Sequence, residues 1–220
     1  MGGAGSPALS VLSGMGAGAA MVAVGHPLGR IASCVQASPE SYWSCARRAV
    51  SVCGFRTLYK AAPFMSSAVS SGICLGAFDI VRTGVQAARP GRLSPGEVGA
   101  LGAAAGAVSA LPLRQAGLAS RKALEMGIFF GVANLVRTRC FPEDEIASVP
   151  AILAGAAVGG VASEAALLGL KNAERASISA LKGGGALKLL CKGVLPGVMR
   201  SLPSTFSFVV TATAIQKCLA

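Results

Sequence analysis

Residues 8–25 read ALSVLSGMGAGAAMVAVG, an apolar run with no charged side chain inside it or ahead of it from Met1. As an α-helix, a run of this length just reaches across a hydrocarbon layer ~30 Å thick. A signal peptide would carry a basic stretch before its apolar core, and an Arg-rich transit peptide is excluded on the same ground, because the first basic residue, Arg30, comes after the run. The stretch therefore reads as a membrane helix. The composition of the 220-residue chain agrees: 53% of residues are apolar and 13% charged, the latter about half the share usual in a soluble domain. So little charge cannot cover a water-facing surface, which excludes most soluble-enzyme readings.

Twenty Lys plus Arg against nine Asp plus Glu give a net charge of +11. A nucleic-acid binder would gather its bases into a patch, whereas here they fall between long uncharged runs, and aromatics at 5% offer few stacking platforms. No nucleic-acid partner is expected. The seven Cys (34, 45, 53, 74, 140, 191 and 218) form no CxxC pair and several lie in apolar runs. They read as free thiols acting as small hydrophobes, with no disulfide framework and no metal site.

Further low-charge runs span Ala61 to Phe78, Val98 to Leu113, Met126 to Val136, Ile146 to Ser163 and Gly193 to Gln216, the last interrupted only by Arg200. The fourth crosses a bilayer only by recruiting Leu118 to Leu124, with Arg121, Lys122, Arg137 and Arg139 snorkelling at its ends. Small residues four apart let helices approach closely in lipid, and Gly14/Gly18, Gly102/Gly106 and Gly155/Gly159 supply that spacing in the first, third and fifth runs. The expected fold is an all-α membrane protein of about six transmembrane helices.

Internal similarity divides the chain further. Residues 74–83, CLGAFDIVRT, align with 129–138, FFGVANLVRT, and residues 54–61, GFRTLYKA, align with 186–193, ALKLLCKG. Three tandem helical hairpins with pseudo-threefold symmetry follow: residues 1–90 form the first repeat, 91–142 a shortened second and 143–220 the third. Between the first two membrane helices, Tyr42, Trp43, Cys45, Ala46, Ala49, Val50 and Cys53 recur near helical spacing with Arg47 and Arg48 opposite. This pattern suits a helix lying in the headgroup region or packed on the protein.

These residues resemble the mitochondrial carrier family. The resemblance rests on Gly25-His26-Pro27-Leu28, on Gly54-Phe55-Arg56-Thr57-Leu58-Tyr59-Lys60 and on Phe78-Asp79-Ile80-Val81-Arg82. In the third repeat it rests on Lys192-Gly193-Val194-Leu195-Pro196 and Arg200-Ser201-Leu202-Pro203. It implies a multi-pass protein of the mitochondrial inner membrane, without catalytic residues, in which two rings of ion pairs gate a central cavity.

The resemblance also shows what is missing. The ring on the matrix side comes from a Pro-x-acid-x-x-base signature, and Pro27-Leu28-Gly29-Arg30-Ile31-Ala32 has lost both charges. Pro112-Leu113-Arg114-Gln115-Ala116-Gly117 has a base in place of the acid, and Leu167-Leu168-Gly169-Leu170-Lys171 has no proline. For the opposite ring the implied gate residues are Asp79, Arg82, Arg137 and Lys217, with Asn134 replacing the second acid. One carboxylate then faces three bases, and Asp79 with Arg137 or Lys217 is the residual bridge to expect.

Arg200, inside the sixth run, falls where carriers place a cavity-facing substrate-binding Arg; the other reading makes it a structural partner of a carbonyl or lipid phosphate. Cardiolipin is the implied bound lipid, held at helix starts through Tyr59 and Lys60 and through Lys192 and Gly193. Beyond that lipid no cofactor is implied; the expected partners are the bilayer, cardiolipin and other inner-membrane subunits. No catalytic constellation or phosphate loop is present. The sequence thus reads as a degenerate carrier-like membrane protein, probable role aside a structural or accessory subunit, with an active carrier of a small anionic metabolite as the alternative.

Overall fold

Each of the six low-charge runs becomes a helix. The computed structural model describes residues 6–37, 41–60, 62–89, 91–111, 116–143, 145–146, 148–175 and 194–219. Among them the helices are α1 (Pro7–Ala37), α2 (Tyr42–Cys53), α3 (Phe64–Ala88), α4 (Pro95–Ala110), α5 (Ala116–Cys140), α6 (Val149–Arg175) and α7 (Val194–Leu219), with a 3-10 helix at Phe55–Tyr59 and no strand. Three of them contain stretches long and apolar enough to cross a membrane: Pro7–Cys34, Phe64–Ala88 and Val149–Asn172. The α5 helix takes in residues 118–124, as the fourth run requires. The α4 helix has 16 residues, or ~24 Å, short of the ~30 Å layer.

Helix ends follow local chemistry. The hydroxyl of Ser94 accepts from the Glu97 amide at 3.3 Å while the Glu97 carboxylate accepts from the Ser94 amide at 2.7 Å, and Pro95 fills the first helical position of α4. Ser41 caps α2 by accepting from the Ser44 amide at 3.3 Å. That helix ends at Gly54, whose φ of 74° is open to glycine at no steric cost.

Six of the helices close into a ring in chain order: α1 on α3, α3 on α4, α4 on α5, α5 on α6, α6 on α7, and α7 back on α1. Glycine makes the tightest of these approaches. A Cβ on Gly14 would lie 2.6 Å from the Ser71 carbonyl oxygen, and one on Gly18 2.6 Å from that of Ser67. The same holds between α4 and α5, where a Cβ on Gly102 would lie 2.7 Å from the Met126 carbonyl, and between α5 and α6, where Gly155 and Gly159 meet the Ala133 and Phe129 carbonyls at 2.7 Å. All three small-residue pairs read from the sequence therefore sit at helix contacts. The α3–α4 and α6–α7 seams are the slighter ones, so the tight contacts do not repeat every second helix. Outward-facing Leu12, Val69, Ile80, Val108, Val158 and Val210 are exposed, the arrangement expected of a lipid-facing perimeter.

The α2 helix and the 3-10 helix cap one end of the ring. Cys45, Ile31 and Leu58 form a small core there, with Cys34, Ala46, Ala49 and Tyr59 against it. Trp43 stays 75% exposed. Pro27 lies within α1 and has no N–H, so the Ala23 carbonyl loses its helical donor. The Tyr59 hydroxyl replaces it, donating to that carbonyl at 2.8 Å. The second repeat has no counterpart of α2, since α4 and α5 are joined by residues 111–115 alone.

Candidate functional site

A cavity of about 600 Å³ occupies the middle of the ring and is lined by all six helices. Its wall runs from Arg30, Ser33, Pro63 and Leu118 near the α2 end down to Met21, Leu75, Phe129 and Phe208 at mid-depth. Below, Phe130 stacks on Phe78 with ring centroids 4.3 Å apart, and Phe129 meets Phe130 edge-on at 5.2 Å. This aromatic layer ties α3 to α5 across the bundle.

The wall is polar for a membrane protein. The ladder Ser66, Ser67, Ser70 and Ser71 on α3 faces Ser201, Ser204 and Thr205 on α7, each set at helical spacing along its own helix. Most of these hydroxyls have already donated their proton to a backbone carbonyl. Ser33 donates to Gly29 at 2.9 Å, Ser109 to Gly106 at 2.8 Å and Ser204 to Arg200 at 2.7 Å, while Ser67 reaches Gly18 on α1 at 3.2 Å. What they turn to the cavity is lone-pair density. His26 Nε2, also in the wall, is buried without a protein partner.

Five charges line the cavity: Arg30, Lys122 and Arg200 against Glu125 and Glu164. Lys122 pairs with Glu125 on its own helix at 2.9 Å. Arg200 Nη2 donates to Glu164 Oε2 at 2.5 Å, an ion pair between α7 and α6 in which the Glu side chain is 14% exposed and the Arg side chain 40%. The Arg stem crosses α1 at Gly29, where a Cβ would lie 3.0 Å from Arg200 Cδ. Gly29 thus stands where the family's signature would put an acid, and its lack of a side chain admits the Arg instead.

Glu164 is the functional residue that the sequence reading passed over. It sits one position beyond the fifth low-charge run, and its only sequence signal is an acid within a helical apolar segment, for which a nearby base is the natural counter-ion. Arg200 does line the cavity, as expected for a substrate-binding base, and its protein partner is this carboxylate rather than a carbonyl.

The four implied gate residues are not brought into a ring. Asp79 accepts from the Ser10 hydroxyl of α1 at 2.9 Å. Arg137 donates through Nε and Nη2 to the Ile146 carbonyl at 3.0 and 2.7 Å, with its stem over Gly155. Arg82 and Lys217 are exposed, and no ion pair to Asp79 forms among the described residues. Asn134 Nδ2, at the position of the missing acid, is buried without a partner. Of the implied lipid-binding residues, Lys60 is exposed and Tyr59 is engaged with Ala23 and stacked on Phe64 at 6.4 Å. Lys192 and Gly193 lie outside the described residues, as do Lys182 and Lys188.

With this geometry in hand, comparison with known proteins gives one family: the model of the mitochondrial carrier protein family matches residues 3–89. The match covers the repeat in which the sequence resemblance is fullest, and its all-helical build with membrane-length helices agrees with a carrier-like membrane protein. No curated protein and no solved structure gives a match.

Proposed function

We propose that the chain is a multi-pass protein of the mitochondrial inner membrane, built on the carrier plan from hairpins 1–90, 91–142 and 143–220. It serves as a structural or accessory subunit of a larger assembly rather than as a gated transporter. One observation carries this reading: the charges a carrier needs to close its cavity at the α2 end are absent from Pro27–Ala32, and the base within the sixth helix is already taken by Glu164. A ring of opposite charges facing across the bundle is what makes that closure reversible, because an unpaired charge in the membrane interior is expensive. Cardiolipin at the starts of α3 and α7, beside Lys60 and Lys192, and the exposed Arg47, Arg48 and Arg56 fit an anionic leaflet.

The test is isolation from mitochondrial membranes in mild detergent. A fixed set of inner-membrane subunits should travel with the protein through a native gel. A protein that runs alone and, in proteoliposomes, exchanges a labelled solute in a manner abolished by Arg200→Ala sinks the reading.

The cavity favours a second reading, an active carrier of a small anionic metabolite with Asp79, Arg82, Arg137 and Lys217 as a reduced gate. A polar chamber reached by all six helices has no use in a purely structural barrel. Solute exchange that survives in Arg137→Ala and Asp79→Ala variants would remove the reduced gate from this account.

A further inference from the structure

We propose that the central cavity binds a small hydroxycarboxylate monoanion, with its carboxylate on the free edge of Arg200 and its hydroxyls on the serine walls. The proposal concerns occupancy alone and holds whether or not the solute crosses the membrane.

The charge balance comes first. Three bases and two acids line the cavity, and His26 is neutral in the formal count, so the wall carries one positive charge in excess. Lys122 and Glu125 satisfy one another on a single helix. Arg200 spends only Nη2 on Glu164, and its remaining N–H groups have no protein acceptor. A guanidinium presents five donors in a fixed fork suited to a second carboxylate. Arg30 stands exposed in the same wall, at its α2 end, without an ion pair. A monoanion balances this chamber; a dianion overfills it, and a neutral solute leaves a buried positive charge uncompensated.

Hydrogen bonding then narrows the class. Ser33, Ser67, Ser109, Ser163, Ser201 and Ser204 have all given their protons to backbone carbonyls. Each can therefore only accept from a solute without breaking a bond it already has. A bare carboxylate brings no donor to meet them, whereas a hydroxylated carboxylate does. The chamber volume of about 600 Å³ leaves room for such a molecule with its waters.

Placement of the site follows from the packing. Close glycine contacts bind α7, α1 and α3 into one body, through Gly16 against Ile215, Gly25 against Ser204 and Gly14 against Ser71. Others bind α4, α5 and α6 into a second, through Gly102, Gly106, Gly155 and Gly159. The two bodies meet at the slighter α3–α4 and α6–α7 seams, and the cavity lies between them. The Arg200–Glu164 pair spans one seam, so a solute on Arg200 touches the junction of the two bodies, where ligand clefts commonly form.

The experiment is equilibrium dialysis and calorimetry of the full chain in detergent or nanodiscs, with glycerate, acetate and inorganic phosphate as probes at pH 7. Glycerate should bind one to one and at least tenfold more tightly than acetate. Arg200→Ala should lose that binding, Arg200→Lys should keep a weakened form of it, and Glu164→Gln, which frees the guanidinium of a competing carboxylate, should tighten it severalfold. Equal affinity for glycerate and acetate, preference for phosphate, or no binding of glycerate at 10 mM overturns the proposal. So does binding that is unchanged in both Arg200→Lys and Glu164→Gln, which decide the matter if Arg200→Ala fails to fold. A positive dialysis result alongside inactive proteoliposomes would leave the accessory reading standing, so the two failures are distinguishable.

Discussion

Replacing Gly14 by alanine tests the contact on which the ring depends. In α1 the added Cβ would lie 2.6 Å from the Ser71 carbonyl oxygen, 2.9 Å from Gly72 Cα and 3.0 Å from the Ser71 carbonyl carbon, where ordinary contact begins at 3.4 Å. All three atoms are backbone, so no rotamer change relieves the overlap and α1 must move away from α3. Forcing an extra carbon into a packed contact costs about 1–3 kcal/mol. Against this, alanine favours the helix over glycine by about 1 kcal/mol. Gly84→Ala isolates that second effect, because Gly84 lies in α3 with nothing within 4 Å of its would-be Cβ. Thermal unfolding of the two purified variants in one detergent should therefore separate by the contact energy. At about 2–4 °C per kcal/mol for a chain of this size, that is a gap of roughly 2–12 °C, with Gly14→Ala the lower. Equal melting temperatures would show that the two helices are not held at backbone contact, and the glycine-based account of the ring would be wrong.

Tyr59→Phe removes the donor that serves the Ala23 carbonyl beneath Pro27 and should destabilise the fold by about 1–3 kcal/mol; a Tyr59→Phe, Pro27→Ala double variant, which restores the helical donor, should recover most of that loss in the same melts. Ser10→Ala and Asp79→Ala should be non-additive in a double-mutant cycle, because the hydroxyl of one donates to the carboxylate of the other at 2.9 Å; strict additivity would show that the bond contributes nothing. At the start of α4, the Ser94 amide and hydroxyl hold the Glu97 carboxyl below its usual range. A carboxyl lowered in the folded state contributes stability that is present above the unfolded value near ~4.3 and is lost as pH falls through the folded one. Ser94→Ala should therefore lower the melting temperature by about 2–4 °C at neutral pH, with the deficit shrinking in acid; a deficit independent of pH would rule out the carboxylate's part in the cap.

Repeat pattern and helix placement were legible in the chain because they rest on local quantities. The apolar runs, the GxxxG spacings and the Ser94–Glu97 cap each depend on neighbours within a few residues, and each appears where the sequence puts it. Even the shortened second repeat could be read, since 22 residues between Pro112 and Asn134 leave no space for a helix like α2. The pairing of charges was not legible. Asp79 meets Ser10 across 69 positions, and Arg200 meets Glu164 across 36, distances over which sequence spacing says nothing about direction.

What the amino-acid sequence determined by itself is that this chain belongs in a bilayer as helices, because a chain with so few charges has no other way to satisfy its backbone there. Tertiary structure alone decided which side chains look inward. Only when six helices close into a ring do the serine ladders become a chamber wall, Gly29 become the passage for the Arg200 stem, and Glu164 become its counter-ion. Those roles depend on the rotation of each helix about its axis, which is fixed by close packing against its neighbours.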